Sequence, residues 1–208
     1  MGEQIVEKDV SKKIQGIAIL MMIVHHAFGF PERLLPGISY IGIPIGGEKL
    51  ETFIGSMCKI CVSLFAFGTG YGLANKTIGL KYLKGKTSSL IRIYWVSLAL
   101  FIFCGLIGGT KYQMADILEN ILLIKTDINH AAWYLPFYVL ALITLPMFQR
   151  INVSFGKLIV FYVICWELNY LSIDGWTPIS NYFVYMPVVL SGLVCANNEN
   201  INNIMKRI

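Results

Sequence analysis

Charge is scarce in this chain. Only 14% of its 208 residues are charged, 56% are hydrophobic, and the mean hydropathy is +0.63. A water-soluble domain of this length has too much surface for so little charge, which excludes an ordinary soluble globule. The chain also has no internal repeat, no low-complexity stretch and no room for a separate soluble domain. Residues 1–13 are polar and mixed in charge, and His25-His26 interrupts the apolar run that follows, so a cleavable signal peptide is not expected. The five cysteines all fall inside apolar runs, which argues against a secreted disulfide framework. Cys58 and Cys61 form a C-x-x-C with no second pair, so metal or redox use is the minor reading and no metal site is expected. The net charge of +5 is confined to loops, where it suits membrane topology better than nucleic acid.

Long apolar runs are what the chain does have. A spanning helix needs roughly 20 mostly apolar residues. The pattern predicts spans near 14–30, 53–74, 90–109, 132–148, 158–173 and 179–196. The first is short and ends at Pro31, the fifth contains Glu167 and Asn169, and the sixth contains Pro187. Lys8, Lys12, Lys13, Lys76, Lys81, Lys84, Lys86, Arg92, Arg150, Lys157, Lys206 and Arg207 fall on one side of this arrangement. The other side carries only Arg33, Lys49, Lys111 and Lys125. The excess predicts that both termini and the basic loop 75–89 are cytoplasmic. Within 110–131, Met114, Ile117, Leu118, Ile121 and Leu122 recur at helical spacing, with Asp116, Glu119 and Asn120 between them. That pattern predicts an amphipathic helix on the outer surface, too short to span. The expected fold is all-α: a polytopic bundle of about six transmembrane spans plus one outer interfacial helix.

Few residues in these spans can do chemistry. His25 and His26 lie roughly 18 Å along the first helix from Ile14, past the midplane. An ionisable residue inside a span usually faces the bundle interior or water. Imidazole exchanges protons near neutral pH and suits base work on a hydroxyl. Adjacent helical residues point about 100° apart, so only one of the pair can fill a given pocket. Packing at a helix interface against a backbone carbonyl is an equal alternative for either ring. Lys59 either snorkels to the outer face or holds an anionic group inside the bundle. Gly68-Thr69-Gly70-Tyr71-Gly72 resembles a potassium-channel filter, but it ends a full-length span facing the basic loop, so close helix packing is the better reading. Arg92, at the cytoplasmic mouth of the third span, can meet lipid phosphate or a phosphorylated ligand.

These residues, taken in order, resemble a family. Ile14-Gln15-Gly16-Ile17-Ala18-Ile19-Leu20 followed by Val24-His25-His26 is similar to the first helix of the acyltransferase-3 family, integral membrane enzymes that acylate sugars and related acceptors. That helix carries Arg or Lys, then ten residues, then a histidine regarded as catalytic. Here Gln15 takes the basic position and His26 the histidine position. Cys61-Val62-Ser63-Leu64-Phe65 running into Gly70-Tyr71-Gly72-Leu73 resembles the family's second helix, with Thr69 for its usual Ser. Trp133-Tyr134-Leu135 with Tyr138 and Pro146, Arg92, and Met186-Pro187 to Ser191-Gly192 extend the likeness over nearly the whole chain.

The resemblance implies one membrane-embedded acyltransferase-like domain over 1–208. Because the family usually has about ten helices and this chain about six, it also implies the N-terminal part of a larger domain, a compact variant, or a half that needs a partner. It implies an acyl-CoA donor, acetyl-CoA foremost, as a substrate and not a tightly bound cofactor. It further implies a cell-envelope saccharide as acceptor, membrane lipid as partner, and a homo-oligomer or a missing C-terminal half. His26 would be the catalytic base. His25, Arg92, Trp133, Tyr134 and Lys59 would contact substrates, with Trp133 and Tyr134 equally suited to anchoring the membrane interface. The alternatives are an inactive remnant or a small transporter-like subunit with His25, His26, Lys59 and Glu167 along a polar path.

Overall fold

The apolar runs fold as helices because lipid offers the backbone no hydrogen-bonding partner, so each span must satisfy its own N–H and C=O groups. The structure, a computed structural model, describes residues 2–34, 38–40, 42–45, 47–170, 177–199, 201 and 204. Helix α1 is Gly2–Phe28. A two-residue hairpin follows, β1 (Pro44–Ile45) pairing antiparallel with β2 (Glu48–Lys49). Then come α2 (Leu50–Met57), a 3-10 turn at Cys58–Ile60, and α3 (Cys61–Leu73). The rest is α4 (Leu80–Ile107), α5 (Met114–Ile121), α6 (Tyr134–Ile151), α7 (Phe155–Tyr170) and α8 (Thr177–Asn197).

Among the described residues, four helices are long and apolar enough to cross a membrane: Leu50–Leu73, Leu80–Ile107, Tyr134–Ile151 and Ile179–Asn197. The remaining two expected spans are helical too. Helix α1 covers 14–28, and α7, at 16 residues, runs to Tyr170. Residues 171–173 of that fifth span lie outside the described residues. Ile93, Val96, Leu100, Phe103 and Ile107 of α4 are exposed, as are Ile159, Val160, Val163 and Trp166 of α7. Water would penalise such faces by about 25 cal/mol for each Å² of apolar surface, whereas lipid does not. The chain is a multi-pass, all-α membrane protein.

Two details depart from the sequence reading. Helix α4 begins at Leu80, so the segment expected as a basic loop is helical over its last two thirds. Lys is a good helix former and charge alone does not end a helix, so nothing between Leu80 and the span breaks it. Helix α5 forms as expected, with Met114, Leu118 and Leu122 exposed, but Asn120 is fully buried and does not lie on an outward polar face.

Packing divides the chain into two compact units, residues 1–75 with 188–208 and residues 76–187. In the first, α1 runs antiparallel to α2 and α3. Gly55 of α2 abuts Phe28 and Gly29 at the end of α1, while Gly68 of α3 abuts Ser11, Ile14 and Gln15 near its start. Ser11 Oγ donates to Gly68 O at 2.8 Å. A Cβ on Gly70 would fall on the carbonyl of Val189, and one on Gly192 on the carbonyl of Phe67. The glycine run therefore serves backbone-to-backbone packing of α3 on residues 188–196, which is the use small residues have in membrane bundles. Val10, Tyr71 and Ala196 form the small core beside it.

The second unit is built from α4 to α7 and the first part of α8. Phe137, Leu142, Leu145 and Met186 are buried there. Tyr182 Oη donates to Thr144 Oγ1 at 2.9 Å, and Ser180 Oγ donates to Asn169 Oδ1 at 2.8 Å. The polar interruption at Asn169 is thus used between helices, while Glu167 is exposed.

Candidate functional site

The histidine pair sits in the last turn of α1. Ser11, Ala18 and His25 are spaced seven apart, two helical turns each, so they share one stripe. Ser11 and Ala18 are 5% and 0% exposed. His25 continues that stripe, half-buried, against α2. Its Nδ1 lies 2.8 Å from Gly55 O. A carbonyl can only accept, so Nδ1 is the donor of this bond. The approach is close because neither partner helix has a side chain in the way. A Cβ on Gly55 would stand 2.5 Å from Gly29 N, and one on Gly29 would stand 2.6 Å from His25 Nδ1.

His26 points elsewhere and is exposed. One ring thus meets a backbone carbonyl and the other is accessible. Phe30 joins them. Its ring centroid lies 4.8 Å from that of His25 and 5.9 Å from that of His26, and the Arg33 guanidinium carbon sits 3.8 Å from it. Tyr40 covers the same end of α1, its hydroxyl donating to Ala27 O at 2.8 Å.

Lys59 and Gln15 also lie in this unit. Lys59 is exposed on the 3-10 turn between α2 and α3. Gln15 packs beside Gly68, and its amide donates to Ser11 Oγ at 3.4 Å. Glu51 escaped the sequence reading. It precedes Gly55 by one turn of α2, and its Oε2 is buried with no hydrogen-bond partner among the described residues.

Arg92, Trp133 and Tyr134 belong to the second unit. Arg92 is exposed, its Nε donating back to Ser88 O at 3.3 Å. Trp133 ends a 3-10 turn, His130–Trp133, that leads into α6. Its ring lies 5.8 Å from Tyr134 and 5.7 Å from Tyr185, and Tyr134 lies 5.0 Å from Phe137. Tyr185 is a member of this aromatic cluster that the motif did not include.

A polar knot ties α5 to α4 in the same unit. Tyr94 Oη donates to Asn120 O at 2.9 Å and Trp95 Nε1 to Ile121 O at 3.1 Å, capping carbonyls at the end of α5. The Asn120 amide donates to Asp116 O and to Asp127 Oδ1, and its Oδ1 accepts from Ile128 N at 3.2 Å. The Asn120 amide bond, ahead of the neighbouring Lys125, holds the Asp127 carboxyl below the usual carboxylate range. Asn129 is 5% exposed and donates to Ser97 Oγ at 2.9 Å. Its Oδ1 is buried without a partner among the described residues. Among the described residues, no three His, Cys, Asp or Glu side chains converge on a point that could hold a metal ion.

No curated protein and no solved structure matches the chain. The model of one family does, the acyltransferase domain of the acyltransferase-3 family, over residues 14–206. That range begins at the first apolar residue of the stretch leading to the histidine pair and runs through all the helical segments that follow, and the chain belongs to the acyltransferase-3 family.

Proposed function

We propose that this membrane acyltransferase-family chain transfers an acyl group, acetyl foremost, from acyl-CoA to a hydroxyl of a cell-envelope saccharide. The observation that carries the reading is the exposed His26 imidazole beside a pinned His25, at the end of the helix where the family match begins. His26 accepts the hydroxyl proton as the acceptor oxygen attacks the thioester carbonyl. The carbon–sulfur bond then breaks, the thiolate of CoA leaves, and the proton passes from His26 to that sulfur. The products are an O-acyl saccharide and free CoA. A neutral base suffices, because the thiolate is a better leaving group than an alkoxide.

Arg92 supplies charge for the donor's phosphates, where an exposed guanidinium pairs with phosphate oxygens. Trp133 and Tyr134 supply aromatic surface for a sugar ring. The Lys and Arg asymmetry favours a cytoplasmic-membrane protein with both termini in the cytoplasm, so that the donor is reached from that side. The test is label transfer from [14C]acetyl-CoA into envelope glycans, in membranes that contain the protein and in membranes that lack it. Label in the glycan fraction only when the protein is present supports the reading. Equal label in both removes it.

A further inference from the structure

The two histidines are neighbours in sequence but meet different surroundings. Gly55 lies in the last turn of α2, just before the 3-10 turn Cys58–Ile60. Its carbonyl oxygen accepts a bond from His25 Nδ1 of α1, at 2.8 Å. The bond joins the C-terminal turn of α1 to α2 where both backbones are bare. Gly29 N bonds His25 O at 2.7 Å just beyond, and Gly55 leaves no space for a Cβ against Gly29. Phe30 then follows at once, lying against both imidazole rings.

We propose that His25 is a positioning residue. Its Nδ1–H···O=C bond to Gly55 fixes the rotation of the last turn of α1 and so sets where the adjacent His26 ring presents itself. The kinetic part of this proposal rests on the acyltransferase reading; the structural part does not. A ring pinned at Nδ1 is replaceable by asparagine, because an amide nitrogen on Cγ occupies the place of Nδ1. Glutamine carries its amide one bond further, at the place of Nε2, and does not reach Gly55 in the same way.

The experiment uses the full chain in bilayers with 15N-labelled histidine, of which there are only three, His25, His26 and His130. Solid-state NMR reads the protonated nitrogen of each ring, assigned by single substitutions. The expected spectrum has His25 protonated at Nδ1. His25→Ala shifts the His26 ring resonances, and His25→Asn leaves them in place. In acetyl transfer, His25→Ala lowers kcat by about tenfold with KM little changed, the pattern of a lost transition-state arrangement. His25→Asn stays within about twofold of the parent, and His25→Gln falls with alanine. His25 protonated only at Nε2, or His26 resonances unmoved by His25→Ala, overturns the proposal. So does loss of activity in His25→Asn equal to that in His25→Ala, which would mean that Nε2 itself is used. Absence of transfer in the parent removes the acyltransferase reading and leaves the NMR arm to decide the anchor.

Discussion

Gly55→Ala tests the contact between the end of α1 and α2. Its Cβ would lie 2.5 Å from Gly29 N, 2.6 Å from the carbonyl carbon of Phe28 and 2.9 Å from Gly29 Cα. All three are backbone atoms, which cannot turn aside as a flexible side chain would. Ordinary contact needs about 3.5–4.0 Å, so α1 and α2 must part by about 1 Å. That motion stretches the 2.8 Å bond from His25 Nδ1 to Gly55 O beyond hydrogen-bonding range. Overpacking costs about 1–3 kcal/mol and the lost bond about 1 kcal/mol. Alanine returns about 1 kcal/mol through helix propensity. The net is a loss of about 1–3 kcal/mol, or roughly 3–9 °C in melting temperature for a chain of this size. Thermal unfolding in detergent, followed by circular dichroism, measures it. A Gly55→Ala protein that melts at or above the parent temperature refutes the close-packing argument.

Gly16 is the internal control, since a Cβ there meets nothing within 4 Å. Gly16→Ala is expected to raise the melting temperature by a few degrees, through about 1 kcal/mol of helix propensity. Asp127 predicts acid sensitivity: because the folded protein holds its carboxyl below the ordinary range, its stabilisation is complete above that range. It is lost as pH falls through the folded value, and Asp127→Asn should flatten that part of a melting-temperature profile scanned downward from pH 5. Arg92→Ala is expected to raise KM for acetyl-CoA several-fold with kcat nearly unchanged, as removal of a charge-assisted phosphate contact does. An unchanged KM would take Arg92 out of the donor site.

Much of this architecture was readable from apolar run length, because a bilayer imposes that length on any span. The interfacial helix α5 was readable from its period, and the glycine run at Gly68–Gly72 from the small residues that close packing requires. What escaped depended on tertiary approach. Asn120 falls with Asp116 and Glu119 between the apolar positions of α5, yet Tyr94 and Asp127 close on it, a pairing no local pattern encodes. The Asn129–Ser97 bond spans 32 residues and is hidden for the same reason. The different surroundings of His25 and His26 were partly legible, since His25 repeats the seven-residue spacing of Ser11 and Ala18. Identifying the partner carbonyl required the bare backbone at Gly29 and Gly55. The helical start of α4 was misjudged because lysines mark loops by topology, not by any conflict with helix geometry.

The proposed acyl transfer runs through His26. The most direct measurement is transfer of label from acetyl-CoA to envelope glycans by the parent, His26→Ala and His130→Ala proteins, at matched abundance in membranes. Incorporation is expected from the parent and from His130→Ala, and none above background from His26→Ala. Equal incorporation by the parent and His26→Ala would contradict it.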